Sequence, residues 1–208
     1  KAEFIEKWKN LEADASMVEE SIQRLFYYNM FYLRAKEQDV NTTTPGVRKY
    51  YLDKKHNRLN YCVIDNLIEN LRLWEVVYGK EPVEGLPWSR NVEIRKILDS
   101  LSSYPNEFWK YPVSIFYMEH NVKSDFEEVF LKFLRKLFVM LVTKYLENPT
   151  ISAVKSDILK LNQNIIDNSH PEFDAGFDKK ITEGEDAQNA ERQRTDSLII
   201  APHNNIVR

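Results

Sequence analysis

Along the first 166 residues, apolar side chains return every three or four positions, the period of a helix that buries one face. Phe4, Ile5, Trp8 and Leu11 predict a short first helix over 1–13. Ser16 and Glu19 have the spacing of a capping box, which opens a second helix running to about Lys36. Its stripe is Val18, Ile22, Leu25, Phe26, Asn29 and Leu33, thickened by Tyr27, Tyr28, Phe31 and Tyr32. Thr44-Pro45 reads as N-cap and first residue of a short helix over 47–54. Residues 59–78 place Val63, Leu67, Leu71, Trp74 and Tyr78 on one face, with Gly79 as a terminator. The span 80–88, with Pro82, Gly85 and Pro87, is a loop by composition. A helix over 91–101 is built on Val92, Ile94, Ile97, Leu98 and Leu101.

Val113 to Tyr117 has the residues of a strand, but no second strand is available to pair with it. A lone strand leaves its backbone unsatisfied, so a helix opened at Pro112 is expected. A second capping box, Ser124 with Glu127, opens a helix over 125–146 that is apolar nearly all round. Such a helix is expected at the centre of a bundle. Asn148-Pro149-Thr150 ends it and caps a last helix reaching about Ile166. The fold class is therefore all-α: an irregular multi-helix bundle of about seven to eight helices with a polar C-terminal extension.

The pattern stops past Asn168. Residues 1–168 form the helical domain, 169–197 an acidic linker or poorly ordered extension, and 198–208 an apolar piece that reads as a truncated further element. The missing initial Met and the abrupt end at Arg208 suggest a fragment of a longer chain. The scarcity of glycine, 5 residues in 208, agrees with helices joined by short loops. A net charge of −3 removes a whole-chain footprint for nucleic acid and leaves only a local one possible. The single cysteine, Cys62, excludes an intrachain disulfide and suits a reducing, cytoplasmic setting. The most apolar run, 137–142, is far shorter than the ~20 residues of a membrane span, so no membrane partner is expected.

Catalytic signatures are absent from the sequence. It has no G-x-G-x-x-G, Walker A, G-x-S-x-G or H-E-x-x-H motif. It also lacks the Glu-x-x-His spacing of di-metal bundles. The four histidines are scattered, and no catalytic residue, metal ligand or cofactor is assigned to this chain. His120 beside Glu119 reads as a surface or capping group, since neighbours on a helix point in different directions. Cys62 has no flanking base and reads as inert.

One local signal stands out. Arg48, Lys49, Lys54, Lys55 and Arg58 gather five cations against one Asp53 within eleven residues, interleaved with Tyr50 and Tyr51. Cations beside aromatics suit phosphate contact with base stacking, so these five are the candidate nucleic-acid-binding residues. Arg34, Lys36, Arg90, Arg95 and Lys96 are available to extend such a face. The plainer reading is a short amphipathic helix with a solvated cationic side.

Three stretches are distinctive beyond their periodicity: Leu25-Phe26-Tyr27-Tyr28-Asn29-Met30-Phe31-Tyr32-Leu33-Arg34-Ala35-Lys36 with Asn41-Thr42-Thr43-Thr44-Pro45-Gly46-Val47-Arg48-Lys49-Tyr50-Tyr51; the paired Tyr104-Pro105 and Tyr111-Pro112; and Phe130-Leu131-Lys132-Phe133-Leu134-Arg135-Lys136-Leu137. They resemble the helical region that follows the N-terminal domain in GmrSD-type restriction proteins of bacteria. The resemblance spans roughly 1–166 and rests on packing and capping patterns. It implies a parent protein that acts in defence against foreign or modified DNA, with this region as a helical bridge. The family's Asp-Gly-Gln-Gln-Arg and nuclease-like His motifs do not occur here. Ala201-Pro202-His203-Asn204-Asn205 has its histidine after the proline and lacks the preceding acid, so no catalytic residue carries over. The implied partners are DNA, a second copy of the chain and other domains of the same polypeptide. A protein-interaction or dimerisation module without a nucleic-acid role is the alternative, favoured by the abundant aromatics.

Overall fold

The computed structural model describes residues 2–178 and Asp186, apart from 19, 40, 57, 61, 80, 151–153 and 174–176. Among the described residues there are eight α-helices, one 3-10 turn and no strand, so the chain is all-α. The helices are α1 (Ala2–Met17), α2 (Ile22–Lys36), α3 (Val47–Tyr51), α4 (Cys62–Tyr78), α5 (Val92–Ser102), α6 (Lys110–His120), α7 (Phe126–Glu147) and α8 (Lys155–Asn164), with the 3-10 turn at Pro87–Arg90 between α4 and α5. The chain divides into two compact units, Lys1–Pro171 and Glu172–Arg208. The sequence pattern fades three residues earlier, at Asn168. The apolar piece 198–208 lies outside the described residues. In the second unit, the Phe173 amide donates to Asp178 Oδ2 at 3.1 Å, and the Phe173 and Phe177 rings lie 6.4 Å apart.

α6 is the helix around which the first unit is built. It packs against α2, α4, α7 and α8, and Lys110, Pro112, Val113, Ser114, Ile115, Phe116, Tyr117 and His120 are all buried on it. The segment that carries strand-like residues is thus a helix buried on every side, beginning two residues before Pro112. The expected centre, α7, is instead a flank packed on α5 and α6, with Val139, Tyr145 and Leu146 exposed. The reason is polar: Glu127, Glu128, Lys132 and Arg135 occupy its outer face, and a charged strip cannot be dehydrated at low cost. The inner faces of α6 and α7 meet through aromatic rings. Phe116 stacks on Phe133 at 4.2 Å and on Phe130 at 5.7 Å, and Trp88 of the 3-10 turn meets Phe130 edge-on at 5.4 Å.

Helix starts depart from the expected capping boxes. Ser16 lies inside α1, and the cap of α2 is Ser21, whose Oγ accepts the Arg24 N–H at 3.1 Å. Ser21 wins because the chain leaves helical geometry there, with ψ at 143°, as an N-cap requires. α3 starts after Gly46 rather than at Pro45, and it ends at Tyr51. α7 follows Asp125 with no side-chain cap, and the Glu127 carboxylate accepts from Asn91 Nδ2 at 2.8 Å rather than reaching back to the helix start. Asn91 in turn caps α5, accepting the Glu93 and Ile94 N–H groups. Gly79 does end α4: a Cβ there would lie 2.3 Å from the Glu75 carbonyl oxygen, a contact only glycine avoids.

Replacing Phe130 by Ala removes a ring wholly buried among Trp88, Phe116 and Phe126. It should lower the unfolding free energy by about 3–5 kcal/mol. Urea denaturation read by circular dichroism checks this, with an unchanged slope expected.

Candidate nucleic-acid interface

The local fold around the five candidate cations begins at the end of α2. Gln38 adopts the left-handed conformation, φ 55°. Its N–H bonds the Ala35 carbonyl at 3.0 Å, and the Asp39 N–H bonds the Arg34 carbonyl at 2.9 Å. This pairing is the Schellman way of closing a helix. It folds Asp39 back beside the side chain of Arg34, whose Nε donates to Asp39 Oδ2 at 2.7 Å and whose Nη2 donates to the Asn41 carbonyl at 2.5 Å. The Arg34 guanidinium also lies 5.5 Å from the centre of the Phe31 ring. Burial pushes the Asp39 pKa upward, but the hydrogen bonds from Arg34 and the Asn41 amide, with the Arg34 charge, outweigh it and leave the carboxyl below its ordinary range. Asp39 Oδ1 accepts the Asn41 N–H at 2.9 Å, and Asn41 Oδ1 accepts the Thr43 N–H at 2.9 Å. These turns deliver the chain to α3.

α3 lies on α2 through its two tyrosines, both buried. The Tyr51 hydroxyl donates to the Phe26 carbonyl at 3.2 Å and accepts from Asn29 Nδ2 at 2.8 Å, and its ring meets Phe26 edge-on at 5.1 Å. Tyr50 is covered by Arg58, whose guanidinium sits 3.9 Å from the ring centre. Arg58 then grips Glu37 at the end of α2 with a two-pronged contact, Nε to Oε1 at 3.0 Å and Nη2 to Oε2 at 2.7 Å. Two arginines, Arg34 before α3 and Arg58 after it, thus strap the 39–58 segment to one end of α2.

The other four cations face outward. Arg48, Lys49, Lys54 and Lys55 are exposed and line one open concavity of about 880 Å³, together with Gly46, Leu52 and Asp53. None of the four makes an ion pair with a described residue. Asp53, the one acid among them, is already engaged. It accepts the Lys55 N–H at 3.0 Å and faces His56 Nδ1 at 2.8 Å and Arg58 at 3.6 Å. The Lys55 amide first and His56 next hold its carboxyl below the ordinary carboxylate range.

The structure therefore divides the predicted set. Four residues share a rim, while the side chain of Arg58 is only 11% exposed and belongs to the scaffold. Tyr50 and Tyr51 are buried and leave no ring face for a base. Among the proposed extensions, Arg34 is buried, and Lys36 pairs with Glu119 at 3.6 Å. Arg95 and Lys96 line another hollow beside Val76, Val77 and Val92. Chemically, the rim offers positive charge to phosphate oxygens.

Sequence reasoning missed a charged cluster between α2 and α6. Glu20 is buried and accepts from the Tyr28 hydroxyl at 3.2 Å. Arg24 reaches Glu107 at 2.8 Å, and Glu107 also accepts from Lys110 Nζ at 2.9 Å. Lys110 lies near the rings of Trp74 and Tyr78, at 5.7 and 5.5 Å. The hollow beside this cluster is about 320 Å³, but two carboxylates and two cations neutralise one another there. His120, expected as a surface or capping group, is wholly buried and takes the capping role. Its Nε2 lies 3.0 Å from the Ile165 carbonyl and 3.1 Å from that of Asn168, which fixes it as the N–H donor that closes the end of α8 onto α6. Cys62 is exposed. Among the described residues no group of three or more His, Cys, Asp or Glu is placed to hold a metal ion, and no helix is long and apolar enough to cross a membrane. No protein-family model, curated protein or solved structure matches the chain.

Two outcomes follow from this geometry. Arg58→Ala should expose α3, accelerating amide exchange at 47–52 and lowering stability by about 1.5–3 kcal/mol, the range for hydrogen bonds to charged groups. Hydrogen exchange by mass spectrometry reads the first effect and urea denaturation the second. Loss of solvation holds the His120 pKa below its ordinary value, outweighing the carbonyl contacts and Glu119, which favour the charged form, while Lys123 opposes it. The folded state thus prefers the neutral ring. That preference is fully felt above the unfolded pKa of about 6.5 and is lost as pH falls through the lower folded value. Stability measured in urea from pH 8 to pH 5 should decline below about 6.5, and His120→Gln should flatten that decline.

Proposed function

We propose that this chain is the helical bridging region of a GmrSD-like, modification-dependent restriction protein and that it holds the nucleic-acid backbone on the Arg48, Lys49, Lys54 and Lys55 rim. Catalysis belongs to domains of the parent protein other than this one. The observation that carries the reading is the rim itself: four exposed cations without acidic partners among the described residues, held on one concavity by a segment strapped down at both ends. Cations carried on a seated backbone suit contact with phosphates, which positions a nucleic acid without reading its sequence. The whole chain carries a net charge of −3, so attraction is confined to this face.

Fluorescence anisotropy with a labelled nucleic acid tests the reading. Four neutralised phosphates should give a slope of log affinity against log salt of about −3 to −4. Reversing all four cations to Glu, with Arg58 left intact, should abolish binding. No binding at low salt, or binding indifferent to the reversal, would overturn it.

A further inference from the structure

The apolar groove beside the cationic rim is a built site. The N-terminal half of α1 stands over α2 and α4, where Phe26, Val63 and Leu67 form a floor and Phe4, Trp8 and Leu59 form walls, enclosing about 360 Å³. That volume falls within the range of small-molecule sites, about 300–1,000 Å³. The Phe4 and Trp8 rings are stacked with centres 6.5 Å apart, and Trp8 leans on Phe26 at 6.4 Å. Phe4 and Leu59 remain 37% and 52% exposed, so the aromatic walls face an opening rather than a closed core. The Lys7–Asp65 ion pair, 2.9 Å, ties α1 to α4 beside it. Among the described residues one polar group joins the lining, Asn60. Its Oδ1 accepts the Cys62 N–H at 3.0 Å, which leaves the amide NH₂ as a donor at the mouth.

Charge and continuity decide the occupant. Among the described residues the lining of the groove carries no charged side chain, and the chain leads from it to the cationic rim. Lys55 and Leu59 are four residues apart, a span of at most about 14 Å. α3, which bears Arg48 and Lys49, rests through Tyr51 on Phe26, the floor of the groove. A ligand that satisfies both surfaces has flat rings with stacking faces attached to regularly spaced anions. An unpaired nucleotide strand has that chemistry. A duplex does not, because its bases are already stacked and paired. Aromatic platforms beside a cationic track are the usual means of binding single strands without regard to sequence.

We propose that this groove seats bases of a single-stranded nucleic acid whose phosphates lie on the Arg48–Lys55 rim, an assignment that rests on the rim reading above and narrows its substrate. The stacking residues are Phe4 and Trp8. They replace Tyr50 and Tyr51, which the fold buries.

Trp8 is half-exposed, whereas Trp74, Trp88 and Trp109 are buried, so quenching of tryptophan emission reports on the groove. The probe is an oligothymidylate of about 12 nucleotides, set against a blunt duplex of about the same length at equal salt. The single strand should quench the emission and bind at least about tenfold more tightly than the duplex, the loss of one stack being worth about 5- to 150-fold. Phe4→Ala, at an exposed position that leaves the fold intact, should weaken single-strand binding by a factor in that range without altering the salt slope. If the duplex binds as tightly and Phe4→Ala changes nothing, while reversal of the rim cations still abolishes binding, the groove assignment falls and the rim reading stands. If neither probe binds at low salt, the rim reading falls and the groove assignment with it.

Discussion

The burial of α6 is the constraint on which the rest of the first unit depends. A helix of 11 residues packed by four others brings its polar groups with it, and each must find a partner inside. Ser114 donates to Asn70 at 2.9 Å, and Asn70 also receives the Trp74 indole N–H at 3.0 Å, so one side-chain carbonyl of α4 serves both helices. The Tyr117 hydroxyl donates to Glu69 at 2.5 Å, and His120 reaches two carbonyls at the end of α8. Lys110 leans on Trp74 while bonded to Glu107. These contacts fix the register of α4 and α8 against α6 more tightly than apolar packing alone, because a shift by one residue would orphan several buried polar atoms.

That register reaches the candidate interface through α2. Phe31 stacks on Tyr111 at 3.9 Å, and Tyr28 meets Trp74 at 4.6 Å, so the aromatic side of α2 is locked between α4 and α6. The opposite face carries Asn29, which binds Tyr51 and accepts from Asn66 Nδ2 at 3.2 Å. α3 is therefore seated by a polar contact inside an apolar surround, and the arginines at either side of it complete the seating. The four rim cations inherit a fixed spacing from this chain of contacts although none of them takes part in it.

The sequence disclosed the helices because their apolar periodicity is strong, and it disclosed the strand-like 113–117 as helical because an unpaired strand has no backbone partners. It misplaced the centre of the bundle because periodicity counts apolar residues around a helix but not how many neighbours each face will find. The capping boxes failed for a related reason: Ser16 and Ser124 had the right spacing, but Ser21 and Asp125 stood where the backbone turned. Around α3, the sequence set five cations in one segment, and four of the five share a face. Arg58 could not be told from Lys55 by type, since its role comes from Glu37 and Tyr50, which only the fold brings near. Phe4 and Trp8 entered the sequence reading only as part of a helical stripe, and such a stripe does not say which of its rings will line a groove.

α1 has one principal neighbour among the helices, α4, and only Leu11 and Ala15 are fully buried on it. An element so lightly held opens by itself at a smaller free energy than the whole domain, as a separate cooperative unit. Since α1 forms one wall of the groove, anything wedged between it and α4 binds the closed form only. Occupancy would therefore register as slowed amide exchange confined to residues 2–17, with the rest of the bundle indifferent. Filling of the groove would thus couple to the fraying of the helix that borders it, without disturbing the helix buried at the centre.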